Sequence, residues 1–126
     1  MGSVLLIEDD VELLRQMTIS FVSAGFDVQV ATDGAIGLKR FRERPTDVVV
    51  TDILMPNREG LETIIALKAH RPDVKILAIS GDYRMGPGNF LNIASHLGAD
   101  AILAKPFQQR TMVVAVHRLL DLAEAA

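Results

Sequence analysis

Five short apolar-rich runs, each ending in or followed by a polar residue, alternate along the chain with five longer stretches whose apolar positions recur every three or four residues. The runs are Val4 to Ile7, Phe26 to Ala31, Asp47 to Asp52, Lys75 to Ser80 and Ala101 to Ala104. Aliphatic runs of this length, bounded by turn residues, read as strands buried on both faces. The periodic stretches read as helices with one inward stripe. Leu13, Leu14, Met17 and Phe21 mark the first, closed by Gly25, a residue suited to the left-handed position after a helix. Asp33 caps the second, with Ala35, Leu38 and Phe41 inward and Pro45 as its stop. Leu61, Ile64, Ile65 and Leu67 mark the third, which ends before Pro72. Phe90, Leu91, Ile93, Ala94 and Leu97 precede Gly98, and Met112, Val113, Val116, Leu119 and Leu120 line the last. Between the fourth strand and fourth helix, Gly81, Gly86, Pro87 and Gly88 break regular structure and predict a mobile loop.

Strands that alternate with helices form a parallel sheet covered on both sides, because consecutive parallel strands need crossover connections. The expected fold is therefore α/β and doubly wound. No repeat, linker or low-complexity tract interrupts the pattern, and 126 residues suit one domain spanning 1–126.

Composition narrows the function. Thirteen Lys and Arg against sixteen Asp and Glu give a net charge of −3, without the basic block that direct nucleic-acid binding needs. The basic residues Lys39, Arg40, Arg42 and Arg44 read as a solvated helix face. With no cysteine, disulfides, zinc-thiolate sites and thiol nucleophiles are excluded. The first strand lacks a positive leader and meets acids at Glu8, which argues against a signal peptide or membrane span and for a cytoplasmic protein.

The carboxyl ends of parallel strands share one edge, where open α/β sheets place their ligands. That edge collects Glu8, Asp9 and Asp10 after the first strand, Asp52 at the third, Ser80 at the fourth and Lys105 after the fifth. Each alone has an ordinary explanation. Asp9 and Glu12 form a capping-box-like pair, Asp52 and Ser80 are turn formers, and Lys105 could pair with any buried acid. Together they are specific. Carboxylates about 4 Å apart repel by roughly 4 kcal/mol per pair at an effective dielectric of about 20. A hard cation relieves this, and few protein oxygens plus a phosphate favour Mg²⁺ over Ca²⁺. Lys105 and Ser80 suit the equatorial oxygens of a phosphoryl group, with Asp52 as nucleophile forming an acyl phosphate. The three histidines, His70, His96 and His117, each fall late in a helix and away from this edge.

On Leu5-Leu6-Ile7-Glu8-Asp9-Asp10, Val50-Thr51-Asp52-Ile53-Leu54-Met55-Pro56 with Gly60, Ile79-Ser80, Gly98-Ala99 and Lys105-Pro106-Phe107, the chain resembles the receiver domains of two-component response regulators. The resemblance implies a flavodoxin-like five-stranded sheet in the order 2-1-3-4-5. It implies Mg²⁺-dependent transfer of a phosphoryl group to Asp52 from a sensor histidine kinase or histidine phosphotransfer protein, in a phosphoacceptor with slow self-dephosphorylation rather than a turnover enzyme. It assigns the metal to Glu8, Asp9, Asp52 and the Leu54 carbonyl, phosphoryl sensing to Ser80 and Lys105, and a cis bond to Lys105-Pro106. It further implies a switched face around the fourth helix that meets a downstream protein target. Three features depart from the family. Ile102 stands where switching receivers carry an aromatic residue, the Ser80 to Gly98 connection is long, and Arg58 and Glu59 add charge after Asp52.

Two other classes compete. A pseudo-receiver, an interaction module that is never phosphorylated, predicts gaps in the acidic set, yet every position is filled. A flavin or nucleotide binder wants a Gly-rich or Ser/Thr-rich loop after the first strand, and an aspartyl phosphatase wants an acid two residues past the nucleophile, where Leu54 stands.

Overall fold

The computed structural model describes residues 2–53, 59–81 and 90–125, with the side chains of 59, 90–92, 124 and 125 left out of the description. Its elements follow the predicted alternation: β1 (Ser3–Ile7), α1 (Val11–Ser23), β2 (Asp27–Ala31), α2 (Gly34–Glu43), β3 (Val48–Asp52), α3 (Glu59–His70), β4 (Lys75–Ser80), α4 (Phe90–Leu97), β5 (Ala101–Ala104) and α5 (Gln109–Ala125). The strands form one parallel sheet in the order β2-β1-β3-β4-β5, the order the family resemblance implies.

Period-two alternation splits the core in two. Leu5, Ile7, Val49, Ile76 and Ala78 face a cluster completed by Phe41, Leu61, Ile64 and Leu67 from α2 and α3 and by Ala94 from α4. Val4, Leu6, Val48, Val50, Leu77 and Ile79 face the other side, with Leu14, Met17 and Phe21 from α1 and Met112, Val116 and Leu119 from α5. The central strands β1, β3 and β4 are therefore buried on both faces, while the edge strands β2 and β5 are only partly so.

The helix ends follow local chemistry. At the end of α1 the Gly25 N–H donates to Val22 O and the Phe26 N–H to Phe21 O, with Gly25 at φ 90°. This is a Schellman closure, and its apolar contact is present as edge-to-face Phe21 and Phe26 rings 5.2 Å apart. Gly98, at φ 123°, ends α4 in the same way, with bonds to Ser95 O and from Ala99 N–H to Ala94 O. Asp33 caps α2 by accepting from the Ile36 N–H at 2.8 Å.

Three expectations need correction. Asp10, not Asp9, caps α1, its Oδ1 accepting from the Leu13 N–H at 3.1 Å, while Glu12 turns outward to Arg15. Ala35 is exposed on α2, where Gly34 and Gly37 take the inner positions, because Gly37 lies so close to Ile7 that a Cβ there would stand 2.4 Å from Ile7 Cδ1. Ile65 is 50% exposed, since Leu61, Ile64 and Leu67 already fill the inner face of α3. The irregular Gly81 to Gly88 segment lies almost wholly outside the described residues, as do Leu54 and Arg58.

Candidate functional site

Strand register explains why residues far apart in sequence meet at the carboxyl edge. Ile7 pairs with Thr51, so Glu8 leaves β1 beside Asp52. Asp52 pairs with Ile79, and Ser80 pairs with Ala104, so Lys105 follows directly. Alternation then selects the face. Asp52 continues the series Val48, Val50 and Glu8 continues Val4, Leu6, both pointing toward α1 and α5. Lys105 continues Ala101 and Leu103, which pack against the same cluster.

Glu8 is fully buried and Asp52 is 3% exposed. The Lys105 ammonium bridges them, donating to Asp52 Oδ2 at 2.9 Å and standing 2.8 Å from Glu8 Oε1. The second contact is an ion pair without hydrogen-bond alignment, so Glu8 Oε1 remains a buried oxygen with no hydrogen bond. Glu8 Oε2 accepts from the Asp10 N–H at 3.0 Å. Asp9 is exposed, but one of its carboxylate oxygens comes within 4.8 Å of oxygens from both Glu8 and Asp52.

Burial, aided by the charge of Asp52, pushes the Glu8 carboxyl up from 4.5 to about 7, against the pull of Lys105 and the Asp10 amide. Burial also pulls on Lys105, but the two carboxylates beside it outweigh that and hold the ammonium above its usual range. With all three carboxylates ionised, the set carries two more negative charges than the Lys105 ammonium balances, and repulsion from Asp52 within it adds to burial in raising Glu8 in the metal-free protein. A divalent ion balances that count, and Glu8, Asp9 and Asp52 offer it carboxylate oxygens within 4.8 Å of one another, so the residues present fit Mg²⁺.

Ser80 is fully buried at the same edge, and alternation places it with Ile76 and Ala78 toward α4 rather than with Asp52. Its carbonyl accepts from the Lys105 N–H at 2.8 Å, which ties β4 to the turn after β5. That turn begins with a cis Lys105-Pro106 peptide, as the resemblance implies. Thr51 Oγ1 donates to the Asp52 carbonyl at 3.1 Å, and the Ile53 N–H donates to Ile79 O at 3.0 Å, fixing the backbone on both sides of Asp52. Between α1 and the Lys105 turn lies a cavity of about 360 Å³ lined by Asp10, Leu13, Gln16, Lys105, Pro106 and Phe107, among others. Of the expected site residues, Glu8, Asp9, Asp52 and Lys105 come together, Ser80 stands on the neighbouring strand, and Leu54 falls outside the described residues.

The sequence pattern of the response regulator receiver domain family matches residues 4–117. The chain belongs to that family. Receiver domains act in two-component signalling, bind Mg²⁺, and partner with histidine kinases or phosphotransfer proteins and with downstream targets. This receiver is 33% identical over 121 residues to the response regulator receiver protein CpdR of Brucella abortus, covering 95% of this chain and 98% of that one. It is 31% identical over 121 residues to the chemotaxis protein CheY of Thermotoga maritima, covering 94% and 98%. By contrast it spans about half of the transcriptional regulatory protein PrrA of Mycobacterium tuberculosis, at 33% identity over 118 residues (93% of this chain, 49% of PrrA). Its fold is that of a CheY-like receiver domain from Methanospirillum hungatei, with a TM-score of 0.89 at 24% identity, covering 99% and 98% of the two chains. No helix among the described residues is long and apolar enough to cross a membrane.

Proposed function

We propose that this receiver, as a single domain over residues 1–126, accepts a phosphoryl group on Asp52 from a histidine kinase or phosphotransfer protein in the cytoplasm and thereby switches a protein-binding face. The observation that carries this reading is the buried Glu8–Lys105–Asp52 bridge beside Asp9, a negative site in which the Lys105 ammonium, the one cation there among the described residues, sits against the reacting carboxylate.

Glu8, Asp9 and Asp52 would hold the metal, with the Leu54 carbonyl assigned by resemblance. Bound there, Mg²⁺ would supply charge neutralisation for the acids and the incoming phosphoryl group. A carboxylate oxygen of Asp52 attacks phosphorus, the bond to the donor imidazole nitrogen breaks, and its electron pair stays on that nitrogen. Lys105 holds the Asp52 carboxylate in place beforehand through its 2.9 Å hydrogen bond and follows the charge onto the new phosphoryl oxygens. That movement loosens its hold on Glu8. Ser80, on the α4 side of the sheet, turns its hydroxyl toward the same oxygens, and the α4 face repacks in response. Ile102, 46% exposed on the edge strand β5, contributes an aliphatic surface to that face in place of an aromatic ring. The pseudo-receiver alternative gains nothing from a complete acidic set.

Incubation with a small acyl-phosphate donor and Mg²⁺ tests the reading by intact-mass spectrometry. One phosphoryl adduct is expected on the parent chain and none on Asp52→Asn. No adduct on the parent, or an undiminished one on the variant, refutes it.

A further inference from the structure

Gly60 is the second residue of α3, and the space at its α-carbon is closed by backbone. A Cβ built there would lie 2.3 Å from Ile53 Cα, 2.5 Å from the Asp52 carbonyl oxygen and 2.9 Å from the Ile53 carbonyl carbon. None of these atoms is the movable end of a side chain. The contact therefore differs in kind from that of Gly37, where an added Cβ meets the flexible tip of Ile7. It also differs from Gly25 and Gly98, whose need for glycine is conformational, at φ 90° and 123°.

The peptide that Gly60 touches is held in place from its other sides. The Asp52 carbonyl accepts from Thr51 Oγ1, and the Ile53 N–H donates to Ile79 O on β4. β4 flanks the main chain that carries the Asp52 side chain on one side and the first turn of α3 closes on it from another, so a Cβ at Gly60 can be accommodated only by moving backbone. Asp52 itself is aimed at Lys105 across a 2.9 Å hydrogen bond, a distance that a displacement of an ångström at its backbone would destroy.

From this geometry we infer that Gly60 is a positioning residue for phosphoryl transfer: the missing side chain lets the first turn of α3 clamp the Asp52–Ile53 peptide and so aims the Asp52 carboxylate. The inference rests on the proposed role of Asp52. Reacting groups displaced by about 1 Å can lose about a hundredfold in rate, so the expected consequence lies in the rate of transfer beyond any loss of fold.

The test compares the parent, Gly60→Ala and Gly25→Ala as full chains, following phosphoryl uptake from acetyl phosphate with saturating Mg²⁺. Gly25→Ala strains the backbone at the opposite end of the sheet and serves as the control for stability loss alone. Initial rates across donor concentrations separate the maximal rate from the half-saturating donor concentration, and circular dichroism reports the folded fraction to which each rate is normalised. For Gly60→Ala the maximal rate should fall about tenfold or more with the half-saturating concentration little changed. Gly25→Ala should stay within about twofold of the parent. If Gly60→Ala is unfolded in buffer, all three chains are measured in trimethylamine oxide, which favours the compact state. A parent that reacts while folded Gly60→Ala keeps pace with it, or Gly25→Ala that slows equally, overturns the role of Gly60 alone. A parent that takes up no phosphoryl group overturns the reading of Asp52 and this role with it.

Discussion

In the metal-free protein, Glu8→Gln should stabilise the fold at alkaline pH and remove a pH dependence that the parent shows. The Glu8 carboxyl is fully buried, and burial first, then the nearby Asp52 charge, raises it from 4.5 to about 7. Below about pH 4.5 the group is protonated in both the folded and unfolded chain and imposes no penalty. As pH climbs from there to about 7, the unfolded chain releases the proton while the folded one keeps it, so the folded state binds more protons and stability falls. At about 1.4 kcal/mol for each pH unit, the accumulated cost over the rise from 4.5 to about 7 reaches at most about 3.5 kcal/mol and then levels off. Glutamine is neutral and of the same shape; with its oxygen kept on the Asp10 N–H its amide nitrogen meets the Lys105 ammonium, a mismatch that offsets part of the gain. Urea unfolding followed by circular dichroism, in chelator, should give similar stabilities near about pH 5 and a more stable variant near about pH 8. Saturating Mg²⁺ should raise the stability of the parent and leave the variant behind. Parallel pH profiles for the two chains in chelator, or a variant weaker than the parent near about pH 8, would refute the reasoning.

Further outcomes follow from the same contacts. Lys105→Met leaves Glu8 and Asp52 facing each other without their cation, and should cost about 3 kcal/mol in chelator near about pH 8, with much of it recovered on adding Mg²⁺, as read by urea unfolding. Asp10→Ala removes the α1 cap and should lower stability by about 1 kcal/mol in the same assay. Lys68→Met removes a donor shared by the Val74 carbonyl, 2.6 Å away, and by Asp100 Oδ2, 3.0 Å away. Asp100 keeps the Ile76 N–H at 2.8 Å, and both side chains of the ion pair are nearly a quarter exposed, so thermal unfolding should show a loss of only about 1 kcal/mol.

Alternation and register carry most of what the sequence makes legible. Once Val48, Val50 and Asp52 are placed on one strand, parity alone puts Asp52 on the same side as Glu8 and Lys105, and the ion pairs follow. Gly25, Gly98 and Asp33 are equally readable, because each stands where a helix must end or begin. The cap of α1 is one residue off because three consecutive acids offer two equivalent caps in sequence. The bond from the Asp10 N–H to Glu8 decides between them only in three dimensions. Ala35 and Ile65 mislead because apolar periodicity marks a stripe without its width: two glycines on α2 do the inner packing, and three other residues already fill α3. Gly60 carries no sequence signal beyond its match to the family, since the backbone that closes on it belongs to another element.

The most direct measurement of the central claim is where the phosphoryl group lands. After incubation with a small acyl-phosphate donor, peptide mapping should find the acyl phosphate on Asp52 and should find almost none when Mg²⁺ is chelated. A phosphoryl group on another residue, or uptake that ignores the metal, would contradict the account.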